Sequence, residues 1–339
     1  MPAAEPAKHE PGAGDPRRTP LTLSKKIFSF LFAAALVALV YVAFRRSSAD
    51  LFSRLSSASP TLVALGALLN VLAFAPRALR LNLLLPRAEE VAFGRAWSVS
   101  GATTFLLQVM PFRTGEVGTW ASLRSVLGAT WARSAAVFAL VKLLDTATLL
   151  LAGVAGAAWL LLARGTTVLG AAAAATCVAG AALLLVLPAV SGSVVARLVP
   201  RLAAGGRPRA IATEILEGLA VAHRAPGRYL GAALAAFAFL ALHLAALFVT
   251  AKGLGLPLHP ATLAVALLAS VTTAAVLPSP AGTFGPYESG FAAAAALDGL
   301  PLATGAILGG LLHLLTTLVA GAVGLPFFLG RLRENPPRD

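Results

Sequence analysis

The chain has 339 residues, 58% of them hydrophobic and 12% charged, with a formal net charge of +13. A soluble domain is about a quarter charged, so a soluble globule is excluded. The surplus Lys and Arg residues lie mostly in tails and connections, with no basic helix interleaved with aromatics, which argues for contact with anionic headgroups and against a nucleic-acid partner.

In chain order, residues 1–24 are rich in Pro, Ala and charge without an apolar period, and read as a disordered cytoplasmic tail. The first apolar run, Ile27–Phe44, lies between Lys25–Lys26 and Arg45–Arg46; it is longer than the apolar core of a usual signal peptide and reads as a retained span. Six more windows approach or exceed the roughly 20 apolar residues a membrane helix needs: Leu62–Leu85, Ser134–Ala163, Thr167–Leu187, Tyr229–Ala251, Ala261–Leu277 and Ala303–Leu329. The expectation is an all-α, polytopic integral membrane bundle over residues 25–330, with about eight apolar segments once broken ones are included.

Arg17, Arg18, Lys25 and Lys26 place the N-terminus in the cytoplasm, and Arg197, Arg201, Arg207, Arg209, Arg224 and Arg228 do the same for the connection 190–228. Within it Ile211, Ile215, Leu219 and Ala222 recur at helical spacing, which predicts a short helix on the interface. The basic tail 331–339 is also expected in the cytoplasm; this requires either an additional crossing after residue 228, with Ser289–Leu297 belonging to it, which is favoured, or a weakly basic tail that does not report its side.

Of the 14 acidic residues, those in tails and connections need no explanation, and three are left at membrane depth: Glu116, Asp145 and Glu288. Asp145 follows Lys142 by one helical turn in KLLD, which allows either a purely structural ion pair or part of a site. Arg77 and Arg80 follow Pro76, also one turn apart; they either snorkel to headgroups or form a two-point clamp for a phosphate.

Glu116 and Glu288 share a setting. SGATTFLLQVMPFRTGE contains Thr103, Thr104, Gln108, Pro111, Arg113 and Gly115; SVTTAAVLPSPAGTFGPYE contains Thr272, Thr273, Pro278, Pro280, Gly282 and Gly285. Helix breakers inside apolar sequence mark either ordinary turns outside the membrane, with capping glutamates, or backbone that lines a protein-enclosed cavity. Two such breaks at matching places predict two re-entrant segments, an internal repeat and one central cavity at which Arg77, Arg80, Glu116, Asp145 and Glu288 converge.

The single cysteine, Cys177, and the five histidines, in no HxxxH or HExxH pattern, support no metal site. No Walker loop, dinucleotide fingerprint or GxSxG elbow occurs, so no cofactor, no catalytic residue and no enzyme activity is expected.

These blocks resemble the membrane domain of lysylphosphatidylglycerol synthetases, the flippase-like domain family, over most of residues 25–330. Its Arg-x-x-Arg block is similar to Arg77–Arg80, its Asn-x-x-Pro and Gly-Glu block to QVMPFRTGE, its Arg-x-x-Asp helix end to KLLD, and its Pro-x-Pro-Gly-Gly-x-Gly-x-x-Glu block to PSPAGTFGPYE. Gln108, Thr119, Val141, Lys142 and Ala281 depart from the family pattern.

The resemblance implies a standalone member in a bacterial inner (plasma) membrane, without the soluble aminoacyltransferase domain, that translocates an anionic or phosphate-bearing lipid. On that reading Arg77, Arg80 and Arg113 hold the phosphate, aided by Gln108 and Lys142; Glu116, Asp145 and Glu288 balance the charge; and Pro278, Pro280, Gly282 and Gly285 supply exposed backbone and hinge freedom. The partner is then a membrane lipid. The first alternative is a non-transporting scaffold for a glycosyltransferase or lipid-modifying enzyme, acting through the helix at 210–222; the second, ranked last for want of a nucleophile arrangement, is an intramembrane lipid-processing enzyme with Asp145 or Glu288 as base.

Overall fold

The computed structural model describes residues 56–85, 90–128, 130–180, 182, 224–256, 258–277, 279 and 282–334. The tail 1–24, the first apolar run, the interfacial helix expected at 211–222, Pro278, Pro280, Ala281 and residues 335–339 lie outside them. Among the described residues there are nine helices and no strand. The protein is a multi-pass, all-helical membrane protein.

In chain order the helices are α1 (Pro60–Leu83), α2 (Phe93–Val109), α3 (Gly115–Leu127), α4 (Trp131–Ala163), α5 (Thr167–Gly180), α6 (Pro226–Gly253), α7 (Pro260–Val276), α8 (Pro286–Ala295) and α9 (Leu302–Glu334). The starts are written locally: α1, α6, α7 and α8 all open on proline, whose missing N–H costs nothing in a first turn. Ser59, Thr130 and His259 add side-chain caps to α1, α4 and α7.

Four segments, Pro60–Leu83, Arg133–Ala163, Pro226–Gly253 and Leu302–Gly330, are long and apolar enough to cross a bilayer. The two predicted breaks are real and have one geometry. α2 has 17 residues, leaves the helix at Met110, passes through a single 3-10 turn, Pro111–Arg113, and returns as α3, with Gly115 lying against Leu106. α7 also has 17 residues and returns as α8, with the Thr273 hydroxyl donating to the Pro286 carbonyl at 2.7 Å and Gly290 lying against Ala269. Each pair is a helical hairpin.

The additional crossing expected at Ser289–Leu297 is corrected by this geometry. α8 has 10 residues, about 15 Å at 1.5 Å per residue, half the roughly 30 Å hydrocarbon core. The segment is apolar because it is buried against α7 and α9, and it forms the return leg of a hairpin.

The halves α1–α4 and α6–α9 repeat one order: a long helix, a 17-residue helix, a break, a short return helix and a 33-residue helix. LGALLNVLAF from Leu65 is echoed by LGAALAAFAF from Leu230, and GVAG from Gly153 by GAVG from Gly321. Packing obeys the same exchange: α2 packs on α9, and α7 on α4.

α1 and α6 form the central seam and run antiparallel. The Ser59 N–H donates to the Gly253 carbonyl at 2.8 Å at one end, and Arg228 donates to the Asn82 and Leu85 carbonyls at 2.7 and 2.9 Å at the other. An antiparallel central pair means that the halves are inverted, related by an axis lying in the membrane plane. Their hairpins therefore enter from opposite faces.

Small residues let these helices approach. A Cβ added at Gly324 of α9 would lie 2.5 Å from the Ala102 amide nitrogen of α2. Gly324→Val is expected to destabilise the protein by about 1–3 kcal/mol, read as a lowered unfolding temperature of the purified protein in detergent. Gly94→Ala, where nothing lies within 4 Å, should leave that temperature unchanged.

Candidate functional site

Arg77 and Arg80 sit one turn apart on α1, and both turn inward. Arg80 is 1% exposed and is the largest fully buried side chain among the described residues. Its Nη1 donates to Asp145 Oδ1 of α4, and its Nη2 to Oδ2 at 3.2 Å, a two-point pair that matches guanidinium to carboxylate. Arg77 Nη2 lies 3.5 Å from the same Oδ2, and its guanidinium sits 4.8 Å from the centroid of the Phe239 ring on α6. The sequence spacing offers Asp145 a partner on its own helix, Lys142; in the fold, α1 supplies its two guanidinium partners.

Lys142 Nζ lies 5.6 Å from the centroid of the Phe138 ring. Arg77, Arg80, Lys142 and Asp145 line one cavity of about 30 Å³ with Ser100, Thr103, Leu107 and Thr119 of the first hairpin. That is room for about two water molecules. Three cations against one carboxylate leave an excess of two positive charges around it. Arg80 Nε is buried with no protein acceptor, so one donor is left for water or for a ligand oxygen.

A second cluster forms where the hairpin tips meet. The Phe112 N–H donates to the Ser279 carbonyl at 3.0 Å, and the Thr283 N–H and hydroxyl reach the Gln108 carbonyl at 3.0 and 3.1 Å. Both tips use left-handed backbone: φ is 51° at Phe112, a non-glycine residue, and 70° at Gly282. A Cβ at Gly282 would lie 2.2 Å from the Gln108 carbonyl oxygen, so the contact needs glycine for space as well as for conformation.

Glu288, in the first turn of α8, accepts from the Gly285 N–H with Oε2 and meets His313 Nδ1 of α9 with Oε1 at 2.8 Å. His313 Nε2 lies 3.0 Å from the Thr283 hydroxyl. The His313 ring is held between Phe284 and Tyr287, at 4.2 and 4.3 Å between centroids.

Buried polar residues lead from one cluster toward the other. Asn70 donates to Thr316 at 3.2 Å and faces His243 Nδ1 at 3.3 Å. His243 stacks on Phe239, the ring beneath Arg77, and Thr316 stands one turn beyond His313 on α9.

Among the sequence-predicted residues, Arg77, Arg80, Lys142 and Asp145 thus share the cavity, while Gln108, Gly282, Gly285 and Glu288 share the tip junction. The two groups are joined along α2, where Leu107 lines the cavity and the next residue, Gln108, belongs to the junction. Glu116, half-buried in the first turn of α3, is not on the cavity wall, and Arg113 closes the 3-10 turn of the first tip. Pro278 and Pro280 lie outside the described residues. A single cavity taking in Arg77, Arg80, Glu116, Asp145 and Glu288 is therefore replaced by two adjoining clusters.

Sequence reasoning missed His313, Thr283, Asn70, His243 and Thr316. One signal was present: with GVAG and GAVG aligned, His313 stands at the position of Asp145, each roughly two turns before the first glycine.

The family model described as Lysylphosphatidylglycerol synthase TM region matches residues 26–324. The chain belongs to that family, whose membrane domain is associated with lipid handling. No curated protein and no solved structure matches it.

Removing one member of a buried ion pair strands the other, at about 3–5 kcal/mol. Asp145→Asn is expected to lower the unfolding temperature sharply. The triple replacement Arg77→Met, Arg80→Met and Asp145→Leu, which removes the whole triad in favour of apolar side chains, should recover most of the loss; thermal unfolding of the wild type and both variants side by side checks this.

Proposed function

We propose that this family member binds the anionic, phosphate-bearing headgroup of a membrane lipid and moves the lipid, chemically unchanged, between the leaflets of a bacterial inner membrane. The observation that carries the reading is the excess of positive charge at Arg77, Arg80 and Lys142 over Asp145 around a partly open cavity. Charges at membrane depth are costly to keep and mark pathways. Guanidinium groups match phosphate oxygens in pairs.

In this reading Asp145 is the stand-in anion. It holds the two guanidinium groups extended and preorganised while no headgroup is present. An arriving phosphate takes over part of that bonding, starting with Arg77, whose 3.5 Å contact is looser than the two-point pair of Arg80. Lys142 adds charge, and Gln108, next to Leu107 of the cavity wall, joins the cavity to the tip that ends at Arg113. Glu116 and Glu288 balance the basic groups.

A cavity of about 30 Å³ is small beside a headgroup, and parting of the hairpins would widen it. Opposed hairpins whose tips meet in the protein interior suit such gating, because each can open toward one face.

The test is leaflet exchange of a fluorescent anionic phospholipid in proteoliposomes, beside a zwitterionic one. The wild type should accelerate the anionic lipid, and Arg77→Gln and Arg80→Ala should slow it by about 10- to 100-fold, the worth of a charge-assisted phosphate contact. Glu288→Gln should also be slow. Equal rates for all the proteins overturn the reading. Chemically altered lipid in the vesicles points to an enzyme instead, and lack of exchange together with capture of a lipid-modifying enzyme through residues 210–222 points to the scaffold.

A further inference from the structure

We propose that His313, with Glu288 as its counter-ion, is a proton-binding site whose occupancy sets the hydrogen bonding between the two hairpin tips. Donors and acceptors at the tip junction are matched one to one. Three acceptors or donors meet in line: His313 Nε2, the Thr283 hydroxyl at 3.0 Å, and the Gln108 carbonyl 3.1 Å beyond it. The hydroxyl has one hydrogen to give.

With the imidazole neutral, Nδ1–H donates to Glu288 Oε1 and Nε2 is an acceptor. The Thr283 hydroxyl then gives its hydrogen to Nε2. The Gln108 carbonyl keeps the Thr283 amide, at 3.0 Å, as its donor from the other tip. Adding a proton from water forms one N–H bond, at Nε2. The imidazolium now donates from both nitrogens, the Thr283 oxygen accepts, and its hydrogen swings to the Gln108 carbonyl. One proton taken up is thus one hydrogen bond gained between the tips.

The surroundings suit a charged ring. Glu288 lies 2.8 Å away, and the faces of Phe284 and Tyr287 cover both sides of His313 at 4.2 and 4.3 Å. His313 meets two ionisable side chains from α8, Glu288 and Tyr287. α2 faces the junction with the Gln108 carbonyl, α7 holds the start of α8 through Thr273, and Asn70 of α1 and His243 of α6 lie past Thr316. Both protonation states satisfy every partner named, which is what a reversible proton site requires. Nothing here depends on which cargo the arginine cavity takes.

Amide hydrogen exchange of the full chain in detergent tests the proposal, at about pH 6 and about pH 8. After correction for the intrinsic pH dependence of exchange, protection at the Phe112 and Thr283 amides should be about three- to tenfold higher at the lower pH, the worth of one hydrogen bond. Thr283→Ser keeps the hydroxyl and should keep the response. Thr283→Val and His313→Gln should show the same protection at both pH values. A flat profile in the wild type overturns the proposal, as does a response that survives in Thr283→Val; the wild type and Thr283→Ser decide the question even where the other variants fail to fold.

Discussion

Backbone that leaves the helix inside a bilayer has no water to bond to, so its N–H and C=O groups must be satisfied by protein. Here each break is satisfied by the other. Phe112 donates across to Ser279, and Thr283 reaches back to Gln108. That mutual bonding is possible only if both tips reach the same depth, which explains why α2 and α7 are both 17 residues long and why two inverted halves pack through an antiparallel α1–α6 seam. The close contacts of α2 with α9 and of α7 with α4 hold the hairpins in the position that the tip bonds demand.

Electrostatics follow from the same frame. The tips divide the interior into a basic side, where Arg77 and Arg80 grip Asp145, and a side where His313 and Glu288 share a contact. Neither side could exist against lipid. Each needs helices from both halves to keep hydrocarbon away: α1, α4 and the first hairpin with Phe239 of α6 for the arginines, α8 and α9 with the α2 end for the histidine. Asn70, between Thr316 and His243, sits on the seam itself.

The spans were legible because hydropathy over a long window reports burial in lipid or protein, and both breaks because Pro and Gly disrupt helices wherever they stand. The path was less legible. Ala261–Leu277 and Ser289–Leu297 are apolar like crossings, and only packing tells a return leg from a span. The Arg80–Asp145 pair joins helices separated by another hairpin, so spacing along α4 proposes Lys142 alone. His313, a lone histidine on an apolar helix, carries no local motif; its partners, Glu288 and Thr283, come from the far side of a turn. The repeat was seen at the breaks, where the chemistry is conspicuous, and overlooked in LGALLNVLAF and LGAALAAFAF, where it is made of ordinary apolar residues.

The two halves share a scaffold but not a set of side chains. In a two-fold frame whose halves were chemically alike, the state open to one face and the state open to the other would have equal energy, and the protein would divide its time evenly. Asp145 with two guanidinium groups in one half, and His313 with a carboxylate at the matching place in the other, remove that equality. In the proposed transporter the difference between Asp145 and His313 is therefore one source of a preferred orientation, and exchanging the chemistry of those two positions is a way to shift it.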